Sequence, residues 1–155
     1  MFAKRLILAL FLLPVATAHA ATATGTFAVT ATVVASCVVV GGVPLAFGTY
    51  TPGTAVDATT TFTTTCTTGT TYDLSLDVGI GSGATFATRR MTSGTDTLDY
   101  TLYSDAGRTA LWGDGTGGSS VVSSAGTGLP QTFTVYGRIP SSAAATIGVY
   151  VDTIT

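Results

Sequence analysis

ATTTFTTTCTTGTTYDLSLDV, residues 58–78, alternates along most of its length: Phe62, Thr64 and Cys66 share one face of an extended chain, as do Tyr72, Leu74, Leu76 and Val78. A period of two marks a strand with one face buried, and β-branched and aromatic residues fit a pleated, half-buried surface. The pattern predicts a strand over about Ala58–Thr67 and a second over Tyr72–Val78. Gly69-Thr70 between them reads as a tight connection, making the two a hairpin.

The same alternation continues on both sides. Upstream, TGTFAVTATVVA at 24–35 sets Phe27, Val29, Ala31 and Val33 on one face and Thr26, Ala28, Thr30 and Thr32 on the other, which predicts a strand. Leu45, Phe47 and Tyr50 form a short apolar segment between the turn signals Gly41-Gly42 and Thr51-Pro52-Gly53. Downstream, Gly79–Thr97 reads as a long Gly/Ser loop carrying Phe86, Arg89, Arg90 and Met91. The adjacent arginines are expected to supply charge to an otherwise uncharged surface. Leu98–Tyr103, Leu111-Trp112, Thr132–Ile139 and Thr146–Thr155 resume the short apolar segments, with Trp112 and the tyrosines expected to pack in the core. Short strands separated by turn residues predict an all-β, immunoglobulin-like sandwich.

Residues 1–20 have a basic start (Lys4, Arg5), an apolar run from Leu6 to Val15 and the ending Ala18-His19-Ala20, the pattern of a secretory signal cleaved before Ala21. Nothing after it is long and apolar enough to predict a membrane-spanning helix. The sole histidine and sole lysine lie in this segment, and the chain has no glutamate. What remains is mildly acidic, without the basic patch that a nucleic-acid partner needs.

Cys37 and Cys66 are the only cysteines. In an oxidising compartment an isolated pair most simply forms one disulfide. A zinc site lacks further ligands and a thiol nucleophile lacks a base, so no metal or cofactor is expected. Asp73 and Asp77 fall on the outward face of their strand, and Asp105 and Asp114 sit in turns. Without histidine or lysine bases the sequence predicts no catalytic residues and no enzyme.

Cys37 with Phe47-Gly48-Thr49-Tyr50, Thr65-Cys66-Thr67, Arg90-Met91, Leu98–Tyr103, Trp112-Gly113-Asp114-Gly115, Tyr136–Pro140 and Gly148–Thr153, in this order, resemble the spore coat protein U family. That family includes the subunits of archaic, Csu-type chaperone-usher pili. The resemblance implies an incomplete immunoglobulin-like β-sandwich completed by a donor strand from a neighbouring subunit. Its parts are a signal peptide (1–20), a donor-strand extension (21–35) whose donor side chains are Phe27, Val29, Ala31 and Val33, and a pilin-like domain (36–155). The partners it implies are neighbouring pilin subunits, a periplasmic chaperone and an outer-membrane usher, with export to the cell surface and a role in adhesion or biofilm. A coat or matrix protein, or a self-contained carbohydrate-binding module using the Trp112 region, is the alternative on the same fold.

Overall fold

A computed structural model describes residues 21–155, and the expected signal segment lies outside the described residues. The chain divides into two units that meet between Thr32 and Val33. In the first, residues 21–32 carry no regular structure and are exposed throughout. The strand expected over 24–35 is therefore not formed within the chain. Alternation alone does not make a strand; its N–H and C=O groups need an edge to bond.

Val33–Thr155 contain seven strands: β1 (Cys37–Val40), β2 (Val56–Cys66), β3 (Thr71–Leu74), β4 (Arg89–Ser93), β5 (Asp96–Tyr103), β6 (Val122–Ala125) and β7 (Gln131–Ile139). All pairings between them are antiparallel, in a five-stranded sheet of order β1-β2-β7-β5-β4 and a two-stranded sheet of order β3-β6. No helix occurs among the described residues. The immunoglobulin-like, all-β class expected from the sequence is the one found.

The faces follow the period of two. β2 turns Val56, Ala58, Thr60, Phe62, Thr64 and Cys66 inward, and Asp57, Thr59, Thr61 and Thr65 outward. β7 answers with Phe133 opposite Phe62, Val135 opposite Thr60 and Ile139 opposite Val56. The outward face there is mostly threonine, with Asp57 held by Arg138 through two hydrogen bonds of 2.7 and 2.9 Å. That bond keeps the Asp57 carboxyl below the usual carboxylate range.

The core lies between the sheets. Trp112, Leu98, Tyr100, Leu102, Val135 and Ile139 are buried there with Leu74. Trp112 donates its indole N–H to Leu74 O at 2.9 Å, and its ring lies 5.9 Å from that of Phe62. The buried Thr64 hydroxyl is satisfied by Tyr72 Oη at 2.8 Å, and Tyr72 in turn donates to Gln131 Oε1 at 3.0 Å, so one polar chain ties the small sheet to the large one.

Further expectations are corrected. β2 and β3 are not a hairpin: β2 pairs with β1 and β7, while β3 pairs with β6 in the other sheet. Thr70 N–H does bond Thr67 O at 3.0 Å, but Gly69 N–H goes to Gly126 O at 2.8 Å, so the turn carries the chain from one sheet to the other. A glycine turn looks alike in both cases; the longer apolar match with β7 wins β2. The loop expected over Gly79–Thr97 holds β4, and Arg89 is not a surface charge. It is fully buried and donates to Asp77 O (2.9 Å), Phe86 O (3.3 Å) and Trp112 O (2.7 Å), with Phe86 5.5 Å beneath it. Burial pulls its guanidinium below the usual arginine pKa.

Candidate functional site

The five-stranded sheet ends on one side at β1 and on the other at β4. β4 is extended by the C-terminal segment: Thr92 N–H bonds Val151 O at 2.8 Å and Val151 N–H bonds Thr92 O at 3.0 Å. Since Val151 spends both main-chain groups on β4, those of Tyr150 and Asp152 turn to the opposite side. Their N–H groups donate to nothing among the described residues.

Three contacts hold this segment in place. Tyr100 Oη donates to Asp152 Oδ2 at 2.6 Å, Ile80 N–H donates to Asp152 Oδ1 at 2.9 Å, and Asp77 N–H donates to Thr155 O at 3.0 Å. Burial and the Asp152 carboxylate both push the Tyr100 phenol far up, so it stays a neutral donor. Side chains alternate again: Tyr150, Asp152 and Ile154 are half-buried, whereas Val149, Val151 and Thr153 are exposed.

The opposite rim begins at β1 and continues through Val43–Tyr50. At Gly42 the backbone passes so close to β2 that a Cβ would sit 1.5 Å from Thr61 O, so only glycine fits. Beyond it Thr60 Oγ1 bonds Val43 O, and Leu45 and Phe47 fold over Gly137 of β7, where a Cβ would meet them at 3.0 and 2.8 Å. Residues 43–50 make no backbone–backbone hydrogen bond among the described residues.

Between the rims runs an apolar groove. Its larger part, of about 830 Å³, is floored by Phe62, Leu74, Leu76, Tyr100, Leu102 and Val135, and bounded by Val43–Leu45 and by Tyr150–Thr155. A second part, of about 600 Å³, shares Leu45, Phe47, Met91 and Tyr150 with the first and continues past Ile139 to Ala145. An apolar trough with an unpaired backbone rim on either side is one extended strand short of closure.

Of the residues singled out in the sequence, Cys37 and Cys66 are brought together. They face each other in the β1–β2 register, with Cα atoms 4.1 Å apart, and are disulfide-bonded. Phe27, Val29 and Val33 are 87, 85 and 81% exposed, and Ala31 is exposed as well. Trp112, at 1% exposure, has no ring face to offer a sugar. Among the described residues no three His, Cys, Asp or Glu side chains converge as metal ligands. The contact of Tyr100 in the groove floor with Asp152 on its rim is not legible in the sequence.

The sequence profile of the Spore Coat Protein U domain matches residues 23–155. Protein U of Myxococcus xanthus is 35% identical over 153 residues, which cover 88% of this chain and 84% of that protein. The fold is similar, with a TM-score of 0.55 and 21% identity over 80% of this chain, to a chain in the crystal structure of the CsuC–CsuE chaperone–tip adhesion subunit pre-assembly complex from the archaic chaperone-usher Csu pili of Acinetobacter baumannii. The match spans 39% of the length of that chain. By the profile match and by its identity to Protein U, the chain belongs to the Spore Coat Protein U domain family.

Proposed function

We propose that this chain is a structural subunit of an extracellular fibre, a pilus, whose copies join by donor-strand complementation along a chaperone-usher pathway. The observation that carries the reading is the pairing of an open groove with an unused strand of the right pattern. The groove has an apolar floor and two unpaired rims. Residues 24–35 supply alternating apolar side chains that are exposed in the lone chain. A strand laid between the rims gains main-chain hydrogen bonds, and its alternate side chains set the register.

Phe27, Val29, Ala31 and Val33 are the donor side chains in this reading. Burying the three larger ones contributes on the order of 5 to 8 kcal/mol as an upper bound. Left unfilled, the groove exposes apolar surface and sheet edges that invite aggregation. A periplasmic chaperone that lends a strand during export, and an outer-membrane usher that exchanges it for the next subunit's extension, answer that hazard. The similarity to a chaperone-bound pilus subunit supports these partners and delivery to the cell surface. Adhesion and biofilm formation are the roles such a fibre serves.

Deleting residues 21–35 behind the export signal tests the reading. The protein is expected to be exported and to keep its groove, yet to form no fibres by electron microscopy; fibres like those of the intact chain would defeat it. A coat or matrix protein on the same fold is the second reading, favoured by the 35% identity to Protein U. Immunogold labelling of whole cells distinguishes a continuous layer from filaments.

A further inference from the structure

The groove begins beside β1, and β1 is the direct continuation of the segment 24–35. The length of the chain therefore does not stop a molecule from filling its own groove. If the chain reversed at Val34–Ser36, a three-residue loop would set Val33 opposite Cys37, Ala31 opposite Val39 and Phe27 opposite Val43. Cys37 is exposed but lies on the same face of the sheet as the buried Cys66 to which it is bonded, so the same four side chains would turn to that face. Register permits self-closure, and something else has to prevent it.

Thr67 is placed to do so. It lies one residue past the end of β2, where the main-chain ladder runs out. Its N–H donates to Ser36 O at 2.9 Å. Its hydroxyl accepts from Ser36 N–H at 3.2 Å, and lies 3.4 Å from Val34 O and 3.3 Å from Ser36 O, to either of which it can donate. One side chain thus touches Val34 and Ser36, on either side of Ala35, and holds them in line with β1 at the point where β2 ends. The disulfide one step further on fixes the pairing at Cys37↔Cys66. The held residues also make a poor turn: a three-residue hairpin loop wants a left-handed third position, usually glycine, and Val34-Ala35-Ser36 has neither glycine nor asparagine.

We infer that Thr67 is a positioning residue for strand exchange: by keeping Val34–Ser36 running on from β1 it disfavours the reversal that residues 24–33 would need to fill their own groove, and so biases them toward a second copy of this chain. This rests on the donor-strand reading above. It assigns that reading a direction that the groove alone does not supply.

The test compares the exported protein with Thr67→Val, with Thr67→Ser, and with a triple variant, Thr67→Val/Ala35→Asn/Ser36→Gly, that also supplies a favourable loop. Two quantities are read: affinity for a synthetic peptide spanning residues 24–35, and hydrogen-exchange protection of amides 27–33 in the monomer separated by size exclusion. The intact chain and Thr67→Ser are expected to bind the peptide, to polymerise, and to leave those amides unprotected. The triple variant is expected to be a closed monomer that binds the peptide at least tenfold more weakly, protects those amides at least tenfold, and forms few fibres. Thr67→Val is expected to fall between. If the triple variant binds peptide and polymerises as the intact chain does, the inference is wrong while the donor-strand reading stands. If the intact chain ignores the peptide, it is the donor-strand reading that fails. Should the triple variant not fold, Thr67→Val alone decides, since an unchanged peptide affinity and unchanged protection there refute the role of the hydroxyl.

Discussion

Arg89→Met strips three hydrogen bonds from a side chain that solvent does not reach. Methionine retains most of the apolar stem, so the loss falls on the carbonyls of Asp77, Phe86 and Trp112. A hydrogen bond from a charged donor contributes about 1.5–3 kcal/mol, and a buried acceptor left without a partner costs about 1–3 kcal/mol. The Trp112 contact is buried, whereas the other two are only partly so and water can replace the donor. Counting the first in full and the others at half, then crediting the cation that no longer needs desolvating, leaves a destabilisation of about 3 kcal/mol. Urea titration followed by the fluorescence of Trp112 measures it directly, and in a domain of this size the melting temperature should fall by roughly 10 °C. Arg89→Lys should recover little, because one ammonium cannot reach three diverging carbonyls. A midpoint within about 0.5 kcal/mol of the unaltered protein would show that Arg89 is not the clasp described, since surface substitutions stay in that range.

Two further outcomes follow from the same contacts. Replacing Cys37 and Cys66 by alanine opens a loop of 29 residues and should cost about 3.5 kcal/mol in the chain-entropy description, read as a lower urea midpoint that reductant no longer changes. Tyr100 has a folded-state pKa raised first by burial and then by Asp152, so its share of stability is intact below the unfolded value near 10 and is lost as pH rises beyond it. The protein should therefore weaken steadily above about pH 10, and Tyr100→Phe should flatten that decline while lowering stability at neutral pH by about 1 kcal/mol; an identical alkaline slope in both proteins would contradict the assignment.

Period-two patterning placed β2, β5 and β7 within a few residues, because each has one face in the core and a run long enough to show it. It found the inward set of β3 as well, yet not its partner, since pairing is settled by which long apolar strand fits opposite and not by the turn between neighbours. β1, β4 and β6 were missed for a related reason. Four or five residues each, CVVV, RRMTS and VSSA, carry too few alternations to stand out, and the buried guanidinium of Arg89 inverted the usual sign of an arginine. The cysteine pair was legible from composition and compartment alone. The groove was legible only by resemblance: it is made of what the sheet lacks, and a missing strand leaves no residues to read. The Tyr100–Asp152 contact spans 52 positions, beyond the reach of any local pattern.

The threonine rows on the outer side of β2 and β7 bear on how a filament of such subunits would behave. Hydroxyls keep that surface hydrated, though less strongly than charges do, and they neither repel a neighbouring copy nor answer to the ionic strength of the medium. If the proposed fibre exposes this face, its lateral contacts there would depend little on ionic strength, because the Asp57 and Arg138 charges on it are already paired with each other.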